Sequence, residues 1–448
     1  MAGEPGRRGS REVQDVIGGS SPDAPAAPPP SAAPDIRDLT GESLIEFMKR
    51  TAFRGIAATE RTVRVFSGGS PSLNPADLRR IRNFLIPLAH PFLGAAVHET
   101  PLIEALRSAM PDANIIAAGS GIGAEVLRNH PGLTRLEPAP DPNRDFWGAV
   151  RSYRNVVRSF GRDPWCALFT GWNGRSRVVI AVMLAGNGVR AGFAVVPPLI
   201  HLSLAYDREK NQIANNLLLP GLLGHAAPSN LEPRVYFTME DLRAARDFLN
   251  VPETSQARPL AVFVTQTRVS QRKQWRQERF VAVARWLIRE HGCRIVLVGT
   301  ASESAAVEAL QAAIGEDALS LAGRTNISVL TAVLAQADIA LTLDTGILHL
   351  VRAAALPACI IAPAWSPPHE WLPMENPHFR ILKNLDLSTQ PADYIIDEVS
   401  VDEVCDTLQD LLRRYPSSAA GREARVRQGL AGNLPLISAN GILEATHD

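Results

Sequence analysis

The sequence predicts an α/β protein made of two successive doubly wound parallel sheets facing each other across a cleft. Two observations predict it. Short apolar runs alternate with amphipathic stretches from about residue 81 to residue 415, and the alternation loosens once, between about His201 and Asn250, before it restarts. Strands separated by helical crossovers pair in parallel and are covered by helices on both faces.

Taken in order, residues 1–36 are rich in Pro, Ala, Gly and Ser and culminate in SPDAPAAPPPSAAP. Such a segment has too few apolar side chains to offset the entropy of ordering it, so a disordered tail is expected. Residues 37–80 open with DLTGESLIEFMKRTAF, where Leu44, Ile45, Phe47 and Met48 recur at helical spacing, and read as a helical appendage. The first α/β unit, 81–250, begins with the run Phe84-Leu85-Ile86-Pro87-Leu88 and the helix ETPLIEALRSAMP. It continues through ANIIAAG, GIGAEVLRNHP, LTRLEPAP, RDFWGAVRSYRNVVRSF, WCALFTGW, GRSRVVIAVMLAG and VRAGFAV. The second unit, 251–415, runs from LAVFVTQ through ERFVAVARWLIREHG, RIVLVG, SESAAVEALQAAIG, ISVLTAVLAQA, IALTL, ILHLVRAAAL and ACIIAP to the amphipathic helix VDEVCDTLQDLLRRY. Residues 416–448 read as a weakly ordered tail. No repeat of solenoid period is present.

Composition narrows the function. The 448 residues carry 46 Lys plus Arg and 46 Asp plus Glu, so the net charge is zero, whereas a nucleic-acid groove draws on a cationic excess. No run reaches the roughly 20 apolar residues of a spanning helix. The two arginines near the N-terminus have no apolar segment behind them, so no secretory signal is read and a cytoplasmic chain is expected. Cys166, Cys293, Cys359 and Cys405 are far apart, which excludes a CxxC site, and no histidine spacing suggests a metal.

The most informative segment is Asp344-Thr345-Gly346-Ile347-Leu348-His349, between a strand and a helix. Thr345 is placed to cap that helix and Gly346 allows close approach, so the first-turn amides would form an anion site, unless the segment is an ordinary strand-to-helix turn. Lys273 lies in the loop after LAVFVTQ, at the same sheet edge, where it could reach the same phosphate or simply be solvated. Glu303, in the loop after RIVLVG, is placed either to accept from a ribose or to cap a helix.

These residues resemble glycosyltransferase family 9, the heptosyltransferases of lipopolysaccharide core synthesis. The resemblance rests on Lys273-Gln274-Trp275-Arg276-Gln277-Glu278-Arg279-Phe280, the V-L-V-G strand, Leu321 to Thr325 as L-A-G-x-T, and the D-T-G-x-x-H turn, in the family's order. Thr100 to Arg107 followed by Pro111-Asp112-Ala113 resembles its N-terminal domain, and the likeness covers about residues 81–415. It implies a GT-B fold of two Rossmann-like domains, the N-terminal one holding the acceptor and the C-terminal one the nucleotide-sugar donor, with transfer inverting the anomeric centre. The donor would be ADP-heptose and the acceptor a saccharide or a lipid-linked glycan, which would bring the chain to the inner face of a membrane. No cofactor is implied besides that donor. Lys273, Thr345 and Gly346 would bind the diphosphate, Asp344 the sugar and Glu303 the ribose, with His349 in the same site.

One position departs from the pattern. Where the family carries a glycine–aspartate pair whose carboxylate resembles the general base, this chain has Gly94-Ala95, and alanine takes no proton. His98 and Glu99, about a helical turn further on, are the substitutes, with His90 a weaker one. Arg175 and Arg177, at the end of WCALFTGW, are candidates for an anionic acceptor. The rival reading is a non-catalytic nucleotide-sugar or glycan-binding protein with a degenerate site. A dinucleotide-dependent oxidoreductase would rest on Gly119-Ser120-Gly121-Ile122-Gly123 alone, which reads more simply as a tight turn.

Overall fold

The computed structural model describes residues 55, 71–89, 92–171, 175–193, 199–226, 228, 231–250, 258–267, 272–366, 368–390 and 393–432. The tail of 1–36 lies outside them, as does most of the 37–80 appendage, of which Pro75–Leu78 forms one helical turn capped by the Asn74 side chain.

The first sheet contains β1 (Asn83–Leu88), β2 (Asn114–Gly119), β3 (Arg135–Pro138), β4 (Trp165–Phe169), β5 (Val189–Phe193) and β6 (Leu202–Leu204). The second contains β7 (Leu260–Val264), β8 (Arg294–Val298), β9 (Ala318–Ser320), β10 (Ile339–Leu343), β11 (Ala358–Ile361) and β12 (Phe379–Leu382). Every pairing is parallel, and the spatial orders β3-β2-β1-β4-β5-β6 and β12-β11-β10-β7-β8-β9 repeat one topology twice. The strands read as apolar runs because helices cover both faces. Pro87 is tolerated in a central strand because β1 pairs with β4 only from Asn83 to Leu85.

The first domain's helices are α1 (Leu93–Val97), α2 (Thr100–Ala109), α3 (Ile122–Leu127), α4 (Phe146–Ser159), α5 (Ser176–Ala185), α6 (Gln212–Asn216) and α7 (Met239–Leu249). The second domain's are α8 (Gln277–His291), α9 (Ser304–Ile314), α10 (Ile327–Ala335), α11 (Gly346–Ala353), α12 (Val401–Arg414) and α13 (Ala419–Gly429). Each sheet has a private core on one face: Leu85, Tyr153, Val156 and Val179 under α4 and α5 in the first domain, and Phe263, Trp275, Phe280 and Leu408 under α8 and α12 in the second. The opposite faces share one continuous core, from Phe84 and Leu102 through Leu242 and Val333 to Leu350 and Ile360, so burial itself joins the domains.

The segment after 416, expected to be weakly ordered, instead contains α13. Ser418 caps it, Arg422 donates to both carboxylate oxygens of buried Asp338 at 2.9 and 2.7 Å, and the Phe237 amide donates to the Gly429 carbonyl at 2.9 Å. Its order was hidden because the helix buries no apolar stripe and is held by charge and backbone pairing, which leave no periodic signal.

Candidate functional site

In doubly wound sheets, ligands bind beyond the carboxyl ends of the strands where the strand order reverses. Here the reversals fall between β1 and β4 and between β7 and β10. The loop after β7 carries Thr267 and Lys273, the turn after β10 carries Asp344, Thr345 and Gly346, and α1 follows β1.

Lys273 Nζ donates to Asp344 Oδ2 at 2.7 Å, with both side chains nearly buried at 13 % and 10 % exposure. The ammonium also lies 5.3 Å from the centre of the Trp365 ring. The residue before it, Arg272, is held at φ 48°, a left-handed conformation that costs a non-glycine residue energy and recurs where a loop must present its neighbour to a site. Thr345 occupies the N-cap of α11, but its hydroxyl does not cap, contrary to expectation; the backbone alone begins the helix, and Thr345 Oγ1 is buried without a hydrogen-bond partner. Thr267 Oγ1 is in the same condition. The unsatisfied Thr345 hydroxyl and Lys273, at the head of a helix whose first amides lack intrahelical acceptors, make an array of donors suited to an anion.

Glu303 lies in the short helical turn after β8. Its Oε2 accepts from the Thr300 amide at 2.7 Å in a capping box with the Thr300 side chain, so the helix-capping alternative describes this carboxylate as it stands.

The two domains approach closely where α1 meets α11. A Cβ on Gly94 would lie 2.5 Å from His349 Cδ2, and one on Gly346 would lie 3.1 Å from Leu93 Cβ. Only glycines let α1 and α11 approach this closely. The sequence placed His98 and Glu99 one turn along a single helix; the structure instead breaks the helix between them, with His98 as the C-cap of α1 and Glu99 as the N-cap of α2. His98 is fully buried, edge-on to the His349 ring at 4.6 Å and stacked on Trp371 at 5.5 Å, and neither of its ring nitrogens has a hydrogen-bond partner. Burial, reinforced by His349 and Arg352, holds its pKa well below the usual imidazole value despite the Gln212 side chain. His349 is pushed down to about 4, by burial first and then by Arg352 and Lys273 against the pull of Asp344. Glu99 is also buried, and the Thr170 hydroxyl donates to it. Ala95 has no exposed surface.

Arg175 is the N-cap of α5 without a side-chain cap, and Arg177 lies 5.5 Å over the Phe146 ring at the start of α4. Trp172, Asn173 and Gly174, and His90, lie outside the described residues. The Gly119–Gly123 turn leads into the six-residue α3.

Sequence reasoning missed Thr267, Trp365 and Trp371. Thr267 was readable as the polar end of LAVFVTQT. The two tryptophans sit in the irregular segment after β11, where no periodicity marks a residue that folds back onto another loop. A cavity of about 560 Å³ also opens beside the last turn of α11, lined by Lys210, Glu232, Arg352, His369 and Met374 among others, and Arg352 Nε donates to Glu232 there at 2.7 Å.

Residues 210–376 match the sequence model of glycosyltransferase family 9 (heptosyltransferase). Lipooligosaccharide heptosyltransferase 2 of Haemophilus influenzae is 23 % identical over 209 residues, which span 44 % of this chain and 56 % of that relative's length. Among solved structures, a glycosyl transferase family 9 protein from Veillonella parvula superposes with TM-score 0.65 at 19 % identity, over 74 % of this chain and 98 % of its own. E. coli ADP-heptose lps heptosyltransferase II gives 0.60 at 18 %, over 75 % and 100 %. E. coli heptosyltransferase WaaC, solved with ADP-2-deoxy-2-fluoro heptose, gives 0.55 at 18 %, over 73 % and 99 %. The two sheets have the GT-B arrangement of these structures, and the stretch 210–376 is similar to glycosyltransferase family 9.

Proposed function

We propose that this chain is an inverting glycosyltransferase that moves heptose from ADP-heptose to a saccharide or lipid-linked acceptor such as lipopolysaccharide core, acting in the cytoplasm at the inner face of the membrane. The observation that carries the reading is the Lys273–Asp344 pair set beside the unsatisfied Thr345 hydroxyl at the head of α11. Breaking the bond from the sugar to a nucleoside diphosphate leaves charge on the β-phosphate, and donors already aimed at that charge lower the barrier. Lys273, Thr345 Oγ1 and the first amides of α11 supply them. Asp344 both holds Lys273 in place and offers its second oxygen to a sugar hydroxyl.

Inversion also needs a base on the acceptor side. Ala95 supplies none, and His98 is the group we assign: burial keeps its ring neutral but resists its protonation while the α1–α11 joint is closed. The ring is sealed against His349 and Trp371, so an acceptor reaches it only when the joint between α1 and α11 opens. Ala95 together with this closed joint supports the second reading, a nucleotide-sugar or glycan-binding protein that does not turn over.

Incubating the protein with ADP-heptose and heptose-free lipopolysaccharide core, and following ADP release with acceptor mass, separates the two. Acceptor gaining one heptose per ADP released is the expected outcome. Tight ADP-heptose binding without any transfer would replace the enzyme with the binding protein.

A further inference from the structure

We propose that the outer face of α4 is a docking surface for an anionic lipid bilayer. The helix buries Ala149, Val150, Tyr153 and Val156 against the first sheet. Its opposite side presents Trp147, Arg151, Arg154 and Arg158, which follow one another at helical spacing and so form one stripe roughly 16 Å long. Arg144 before the helix and Arg162 after it are exposed too. Trp147 is 67 % exposed, the highest value among the large apolar side chains in the described residues. An indole left this far in water, beside arginines, has the amphipathic character that favours the boundary between headgroups and acyl chains.

Charge decides the occupant. From Arg144 to Arg162 there are five arginines and one carboxylate, Asp145, in a chain whose overall charge is zero. Asp145 is occupied as the cap of α4, accepting from the Gly148 amide at 2.8 Å. Among the described residues none of the five arginines forms an ion pair; Arg154 donates to the Leu184 carbonyl at 2.8 Å, which seats it beside half-exposed Leu184. The stripe lies along one face of a single helix. A fluid anionic sheet can meet all these side chains at once, and long arginine stems let the heads stay at phosphate level while the indole enters. No helix in the described residues is long and apolar enough to cross a membrane, so the contact would be peripheral.

The stripe starts at the sheet edge that carries the joint, because the first turns of α4 and α5 both follow carboxyl ends of strands. The proposal stands on this surface and does not depend on the donor reading.

Flotation of the full chain with phosphatidylcholine vesicles containing roughly 30 % phosphatidylglycerol, against pure phosphatidylcholine, tests it. The chain is expected to float with the anionic vesicles, to release them as salt shortens the screening length, and to remain unbound with the neutral ones. Removing two arginines in R151Q/R158Q should weaken partitioning roughly 25-fold, at on the order of five-fold per cation, and Trp147→Ser should weaken it further. All three positions are exposed, and a thermal melt checks folding; were a variant to misfold, the lipid and salt series on the unaltered chain still decides. Failure of the unaltered chain to float, equal binding by R151Q/R158Q, or displacement by duplex DNA at equal phosphate would overturn the proposal.

Discussion

Replacing Lys273 with alanine is expected to lower the proposed heptose transfer by about 10²- to 10³-fold, the cost of removing one aimed donor from a site of charge development. Lys273 is nearly buried, its ammonium is fixed by Asp344 at 2.7 Å and packed near Trp365, and its loop is carried past the strained Arg272. A cation held this way needs no reorganisation when the leaving diphosphate becomes more negative. Both KM for the donor and kcat should suffer, because the contact exists in the ground state and strengthens in the transition state. The variant also leaves Asp344 unpaired beside the diphosphate, which adds repulsion to the lost attraction. Steady-state kinetics in ADP-heptose checks this, and unchanged turnover would remove Lys273 from the diphosphate.

Acid is expected to loosen the joint between the domains. His349 has a folded pKa of about 4 against an ordinary value of 6.5, so between these values the unfolded chain binds a proton that the folded chain refuses. Stability is therefore complete above 6.5 and is lost as the pH falls towards 4, by about 3 kcal/mol from His349 alone. His98 acts in the same direction from the other domain, facing His349, with Arg352 and Gln212 close by. His130, buried against Tyr236 and depressed to about 3, adds a further loss of the same sign. Urea midpoints across this range should fall steeply in the parent protein, and the fall should flatten in H98Q/H349Q. A parent midpoint that holds steady down to pH 4 would mean that the imidazoles find water or partners in solution.

The fold was readable from sequence because alternating apolar runs and amphipathic helices report burial directly, and burial is what builds both sheets. Lys273 and the Asp344 to Gly346 turn were readable for a related reason: each follows a strand, and topology carries strand ends to one place. Contacts made across the joint were not. Nothing local tells His98 that it will meet His349 and Trp371, which lie hundreds of residues on, or tells Gly94 that it must leave room for an imidazole. Thr345 and Glu303 show the remaining limit. Their residue types fit both capping and ligand binding, and only the hydrogen bonds separate them: Glu303 caps and Thr345 does not. α13 escaped detection because polar docking has no period.

The central claim is a nucleoside diphosphate sugar site at the head of α11, and thermal denaturation with ADP and ADP-heptose tests it most directly. At a hundredfold excess over Kd, either ligand should add about 2.7 kcal/mol to the folded state, and the gain should collapse in Lys273→Ala while UDP and GDP give little. No stabilisation by either ADP ligand, or the same stabilisation with and without the lysine, would contradict the account.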